Sequence, residues 1–97
     1  MSDSPLWEAV NDGNFDEVKY LVEKGHDINY ARNDDKETAL ICAATTGSVD
    51  VMNYLLERGA DTSVTDCSGW NAVHWAAMCG QSSSLAVLID HGACLGI

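Results

Sequence analysis

The segments Thr38-Ala39-Leu40-Ile41-Cys42-Ala43-Ala44 and Tyr54-Leu55-Leu56-Glu57-Arg58-Gly59-Ala60-Asp61 lie either side of Gly47, and their reading decides the fold. Leading into the second, apolar Val51, Met52, Leu55 and Leu56 fall at helical spacing, so 49–58 reads as a helix that stops at Gly59. The first reads as a shorter helix over 38–46, with Gly47 at the tight turn joining the two.

This helix pair is one of three. Leu40, Ala43, Gly47, Met52, Leu55 and Gly59 repeat Leu6, Ala9, Gly13, Val18, Leu21 and Gly25, which lie 34 residues earlier. The set returns 33 residues on as Val73, Ala76, Gly80, Leu85, Leu88 and Gly92. The spacing predicts further helices over 5–11, 15–24, 71–79 and 82–91. Asp16 and Asp50 suit the positive ends of their helices, and Ser82 is the expected N-cap in the third copy. Gly25, Gly59 and Gly92 are placed to close the second helices in a left-handed cap. Polar stretches of about a dozen residues between the pairs, such as 60–69, read as projecting turns or hairpins. A pair this short cannot bury its apolar side alone, so the copies must stack into one core.

Period, glycine positions and the quoted segments, with Asn71-Ala72-Val73-His74-Trp75-Ala76-Ala77, resemble the ankyrin repeat over nearly the whole chain. Asp66-Cys67-Ser68-Gly69 is similar to that family's Asp-x-x-Gly hairpin. The resemblance implies an all-α ankyrin-repeat solenoid: three stacked helix-turn-helix units with hairpin-like loops, at 1–32, 33–65 and 66–97. The family's Thr-Pro-Leu-His departs to Ser4-Pro5-Leu6-Trp7, Thr38-Ala39-Leu40-Ile41 and Asn71-Ala72-Val73-His74, where Asn71 stands in for threonine.

By the same resemblance, Glu8, Cys42 and Trp75 face the preceding repeat, as do Glu17, Val51 and Ser84. The first copy is charged in both columns, so 1–32 reads as an N-terminal cap. Val18, Met52 and Leu85, with Val22, Leu56 and Ile89, face the following repeat. The third copy stays apolar there, so further repeats or self-association are expected at that face.

Composition narrows the function. At 97 residues, 46% of them hydrophobic, the chain is one small domain with little room for an enclosed catalytic cavity. Its net charge of −10 repels nucleic acid and anionic lipid, and complements a basic partner surface. Met1 to Pro5 show no secretory signal and no segment approaches membrane-spanning length, so the chain reads as intracellular. Four cysteines without a Cys-x-x-Cys pair read as free thiols.

Chemistry-bearing residues are few. His74 and Cys79 are five apart on one helix, about 500° of rotation, and diverge. Cys79, His91 and Cys94 offer at best three metal ligands in no recognisable pattern. No catalytic residue, metal or cofactor is expected. Leu21 with Asp27-Ile28-Asn29 is similar to the context that asparaginyl hydroxylase uses on ankyrin repeats, which makes Asn29 a candidate hydroxylation site.

The resemblance implies binding to another protein through hairpin tips and the concave inner-helix face. The corresponding helix positions are Asn11, Asp12, Thr45, Thr46, Met78 and Cys79. The hairpin positions are Asp34, Asp35, Glu37, Cys67, Ser68 and Trp70, of which Trp70 is the candidate anchor. Two alternatives stand beside this reading. One is a regulatory or targeting fragment at the N-terminus of a larger enzyme, channel or ubiquitin-ligase component. The other is a thiol redox switch, which requires an exposed cysteine of depressed pKa.

Overall fold

A computed structural model describes residues 4–91. Six helices follow one another: α1 (Pro5–Asp12), α2 (Phe15–Glu23), α3 (Ala39–Thr46), α4 (Val49–Glu57), α5 (Ala72–Met78) and α6 (Ser82–Asp90). No strand occurs among the described residues. Each predicted helix is present, with its ends within a residue or so of the expected ones.

The helices form three antiparallel pairs in two rows. In the inner row α3 packs between α1 and α5; behind it α2, α4 and α6 each back their own partner, and α4 also packs on α6. Small residues allow the inner row to close up: Ala9, Ala43, Ala44 and Ala76 are all buried. The middle pair is the centre of the core. Every residue from Ala39 to Ala44 is buried, and Met52 and Leu55 behind them are 0% exposed.

Local chemistry starts each pair. The side chains of Ser4, Asn14, Thr38 and Asn71 accept from the backbone N–H three residues on, at 3.1, 3.2, 3.3 and 3.0 Å. At α5 the arrangement is reciprocal, because the Asn71 N–H donates to His74 Nδ1 at 3.1 Å. Asn71 therefore does stand in for threonine, and the third copy's histidine closes a capping box.

Ser82 does not cap α6. It is the first helical residue; Gln81 precedes it as N-cap without a side-chain cap bond. The Gln81 amide turns instead to the neighbouring pair and donates to the Thr45 carbonyl at 3.3 Å. Gly47 makes room for it. Its backbone is left-handed (φ 75°), and a Cβ there would lie 2.7 Å from Gln81 Oε1. Gly25 and Gly59 follow the C-caps Lys24 and Arg58 at φ 98° and 96°; Gly92 lies outside the described residues.

The two ends of the described stack differ in polarity. Glu8 and Glu17 are exposed on the first pair, whereas Cys42 and Val51 are buried at the equivalent places in the second. On the third pair Leu85 is half-buried and Ile89 is 44% exposed.

Ser84 belongs to the buried column and is 0% exposed, yet its hydroxyl has no hydrogen-bond partner among the described residues. An unpartnered buried hydroxyl is destabilising. Ser84→Ala is therefore expected to stabilise the chain by about 1 kcal/mol. A urea midpoint that stays put or falls would contradict this account of the site.

Candidate protein-binding surface

The turns between helix pairs are fastened to one another rather than free. Arg32 N–H donates to the Glu37 carbonyl at 3.0 Å and Asp66 N–H to the Trp70 carbonyl at 2.9 Å, closing two successive turns. The Cys67 N–H then donates to the Asp35 carbonyl at 2.8 Å, joining these turns edge to edge. Earlier in the same two connections Asn29 does this work with its side chain, whose Oδ1 accepts the Asp61 N–H at 2.7 Å.

Three of the charged positions proposed from sequence are distributed unevenly. Asp34 is exposed. Asp35 is half-buried and holds Arg32 in a two-pronged ion pair, at 3.2 and 3.0 Å. Glu37 accepts the indole N–H of Trp7 at 3.0 Å, and the Arg32 guanidinium lies 3.7 Å from the centre of that indole ring. Burial pushes the Glu37 carboxyl above its usual range, although the Trp7 hydrogen bond pulls it down. Trp7 occupies the place of the family's histidine, and that substitution was the sequence signal for this cluster.

The inner-helix positions gather at the helix ends. Asn11 and Asp12 are exposed at the end of α1, and Met78 and Cys79 at the end of α5. Between them Thr45 is half-buried and Thr46 exposed. Both hydroxyls donate back to the Cys42 carbonyl, at 2.9 and 3.1 Å, and Thr46 Oγ1 also lies 3.0 Å from Ser48 Oγ.

In the second of these turns Cys67 and Ser68 are exposed, and Trp70 is half-buried. The Trp70 ring sits 5.0 Å from that of Trp75 and 6.2 Å from the His74 imidazole. Asp66 anchors the group: it accepts from Ser68 N–H (2.9 Å), Trp70 N–H (3.1 Å) and the Trp75 indole (2.7 Å). Burial would raise the Asp66 carboxyl, but these donors outweigh it and hold the group below the usual aspartate value. Sequence reasoning passed over both Asp66 and Trp75 as contributors to this surface.

The thiols sort by environment. Cys42 is buried, its Sγ 4.0 Å from Asn11 Oδ1, and desolvation together with the Glu37 charge pushes its pKa up to about 12. Cys67 and Cys79 are exposed; Cys94 lies outside the described residues. Alkylation of native protein near neutral pH is therefore expected at Cys67 and Cys79, with Cys42 reacting only in denaturant. Peptide mapping that finds Cys42 modified first would contradict its placement.

The described residues hold no group of three or more histidine, cysteine or acidic side chains able to grip a metal ion. A hollow of about 360 Å³ lies beside the α1–α2 and α3–α4 turns, and Asp50 is the ionisable group lining it. No helix among the described residues is long and apolar enough to cross a membrane.

Three stacked helix pairs whose connections hydrogen-bond to one another define a helical repeat protein. The chain belongs to the ankyrin-repeat family: residues 6–97 match the family described as ankyrin repeats, three copies. It is 40% identical over 86 residues to SH3 and multiple ankyrin repeat domains protein 1 of Homo sapiens, covering 88% of this chain and 4% of that protein. Identity is 41% over 83 residues with palmitoyltransferase AKR1 of Lachancea kluyveri, covering 86% and 11%. Ankyrin repeat domain-containing protein 63 of Mus musculus is 34% identical over 80 residues, covering 82% and 20%. The chain thus spans a small part of each of these relatives. Ankyrin repeats generally mediate protein–protein interaction and are not themselves catalytic.

Proposed function

We propose that this chain is a non-enzymatic module that binds a partner protein through its turn tips and the open side of its inner helices. The observation that carries the reading is Met78. At 64% exposure it is the most open of the large apolar side chains described, and it stands at the end of an inner helix beside exposed Ala77 and Cys79. A flexible thioether in that place suits a contact that adapts to its partner. Exposed Asp12 and Asp34, with the net charge of −10, favour a basic partner surface.

The test is a photoactivatable residue placed at Met78 or, as control, at exposed Glu57 at the end of outer helix α4. Discrete protein adducts from position 78 and not from 57 are expected in cells of the natural source. Equal labelling from both positions, or none from either, would overturn the reading.

A second reading is that the stack serves as a regulatory or targeting part of a longer protein. Two observations support it: the small share of each relative that the chain spans, and the exposed Ile89 on the last described helix. If it holds, Ile89 is better protected from hydrogen exchange in the natural full-length product than in the 97-residue chain. Asn29 remains the proposed hydroxylation acceptor, and an intact mass without added oxygen in natively produced protein would remove it.

A further inference from the structure

Four aromatic rings in the first part of the chain carry one of its own cations. Arg32 lies over Trp7 at 3.7 Å, Lys19 over Phe15 at 5.1 Å, Lys24 over Tyr20 at 5.4 Å and Arg58 over Tyr54 at 5.1 Å. From residue 59 to the end there is neither lysine nor arginine. Trp70 and Trp75 fall in that part, and they pack against each other and against His74 instead. Both rings are half-buried, so each keeps an open portion.

Their surroundings are already arranged for a positive charge. The Asp66 carboxylate holds the Trp75 indole at 2.7 Å, just as Glu37 holds Trp7 at 3.0 Å. The neighbouring turn, joined by the Cys67 N–H to the Asp35 carbonyl, adds exposed Asp34; its Asp35 carboxylate is already paired with Arg32. Inner helices α1, α3 and α5 carry no lysine or arginine, so no fixed cation on them opposes an incoming one. Exposed Met78 lies one helical turn beyond His74 and Trp75, where it extends the apolar part of the surface.

We infer that the Trp70–Trp75 face of the third repeat receives an arginine side chain from a partner protein, the cation that this repeat lacks. The inference rests on the protein-binding reading above and gives the partner its chemistry. A guanidinium is the fitting head group because it is planar, stacks on an indole and still donates to a carboxylate at its edge. Arg32 shows that combination within this chain, lying over Trp7 while paired to Asp35.

The experiment uses a blocked glycine–arginine peptide, with lysine and citrulline versions, titrated at physiological salt while the tryptophan indole N–H resonances are followed by NMR. The arginine peptide is expected to shift Trp70 and Trp75 and leave Trp7 in place, with the lysine version weaker and the citrulline version inert. Trp70→Leu, which keeps apolar bulk, should weaken binding about tenfold. Asp16→Asn with Glu17→Gln, two charges removed from α2, should weaken it less than about twofold. Equal binding of citrulline or lysine peptide overturns the inference. So does an equal loss from the α2 variant, which would mean diffuse charge attraction. If the arginine peptide fails while position 78 still yields protein adducts, the binding module stands and the arginine site falls; loss of both removes both.

Discussion

Leu55→Ala is expected to lower the stability of the chain by about 3 kcal/mol, and the thermal midpoint by about 15 °C. Leu55 is 0% exposed on α4, in the pair that contacts both neighbours. Truncation removes Cγ and both methyl groups with the contacts they made, and the close-packed inner row is poorly placed to collapse into the space. Stability in a stacked repeat is the sum of each unit and its interfaces, so a cavity in the middle unit weakens both interfaces at once. Leu56→Ala on the same helix, at a half-buried position, should cost less than half as much. Matched urea unfolding of the two variants decides the matter. A loss at Leu55 no larger than that at Leu56 would mean that the middle pair is not the keystone of the core.

Asp66→Ala should cost about 2–3 kcal/mol, although it removes no apolar contact of any size. The carboxylate is the shared acceptor for Ser68 N–H, Trp70 N–H and the Trp75 indole. Water can replace it at exposed Ser68, but less readily at the half-buried indole, which would be left without a partner. Asp66→Asn keeps one acceptor oxygen and should recover roughly half of the loss.

The effect also has a pH signature. Because the folded carboxyl titrates below the ordinary aspartate value of 3.8, its contribution is complete above that value and disappears as pH falls through the folded pKa. The stability gap between the parent chain and Asp66→Asn should therefore be steady near neutrality and shrink below about pH 4. A gap that widens in acid would show that the sign of the shift is wrong.

Much of the fold is legible because its punctuation is local. Ser4, Asn14, Thr38 and Asn71 each cap a helix by reaching three residues ahead, and the glycines past α1 to α5 adopt the backbone that only they tolerate cheaply. Such signals survive in a one-dimensional reading. Ser82 misled for the same reason in reverse: a serine beside a helix start looks like a cap, but Gln81 had a tertiary use across the stack.

The surface was less readable, since its pairings span distances that no periodicity encodes. Trp7 meets Glu37 at a separation of 30 residues, and Trp75 reaches back nine to Asp66. Sequence alone marked Asp35 and Glu37 as free acidic contacts; folding engages the first with Arg32 and the second with Trp7. Met78 and Asp34, which no neighbour claims in this way, stay on the open side.

The unequal ends of the stack give the protein an arrow. Glu8 and Glu17 reject an apolar neighbour, while Leu85 and Ile89 invite one. A duplicated copy of the middle pair spliced in after it would meet matching surfaces on both sides. The same copy placed ahead of the first pair would press its apolar side against two carboxylates. An added copy therefore costs less within the stack or beside Leu85 and Ile89 than beside Glu8 and Glu17.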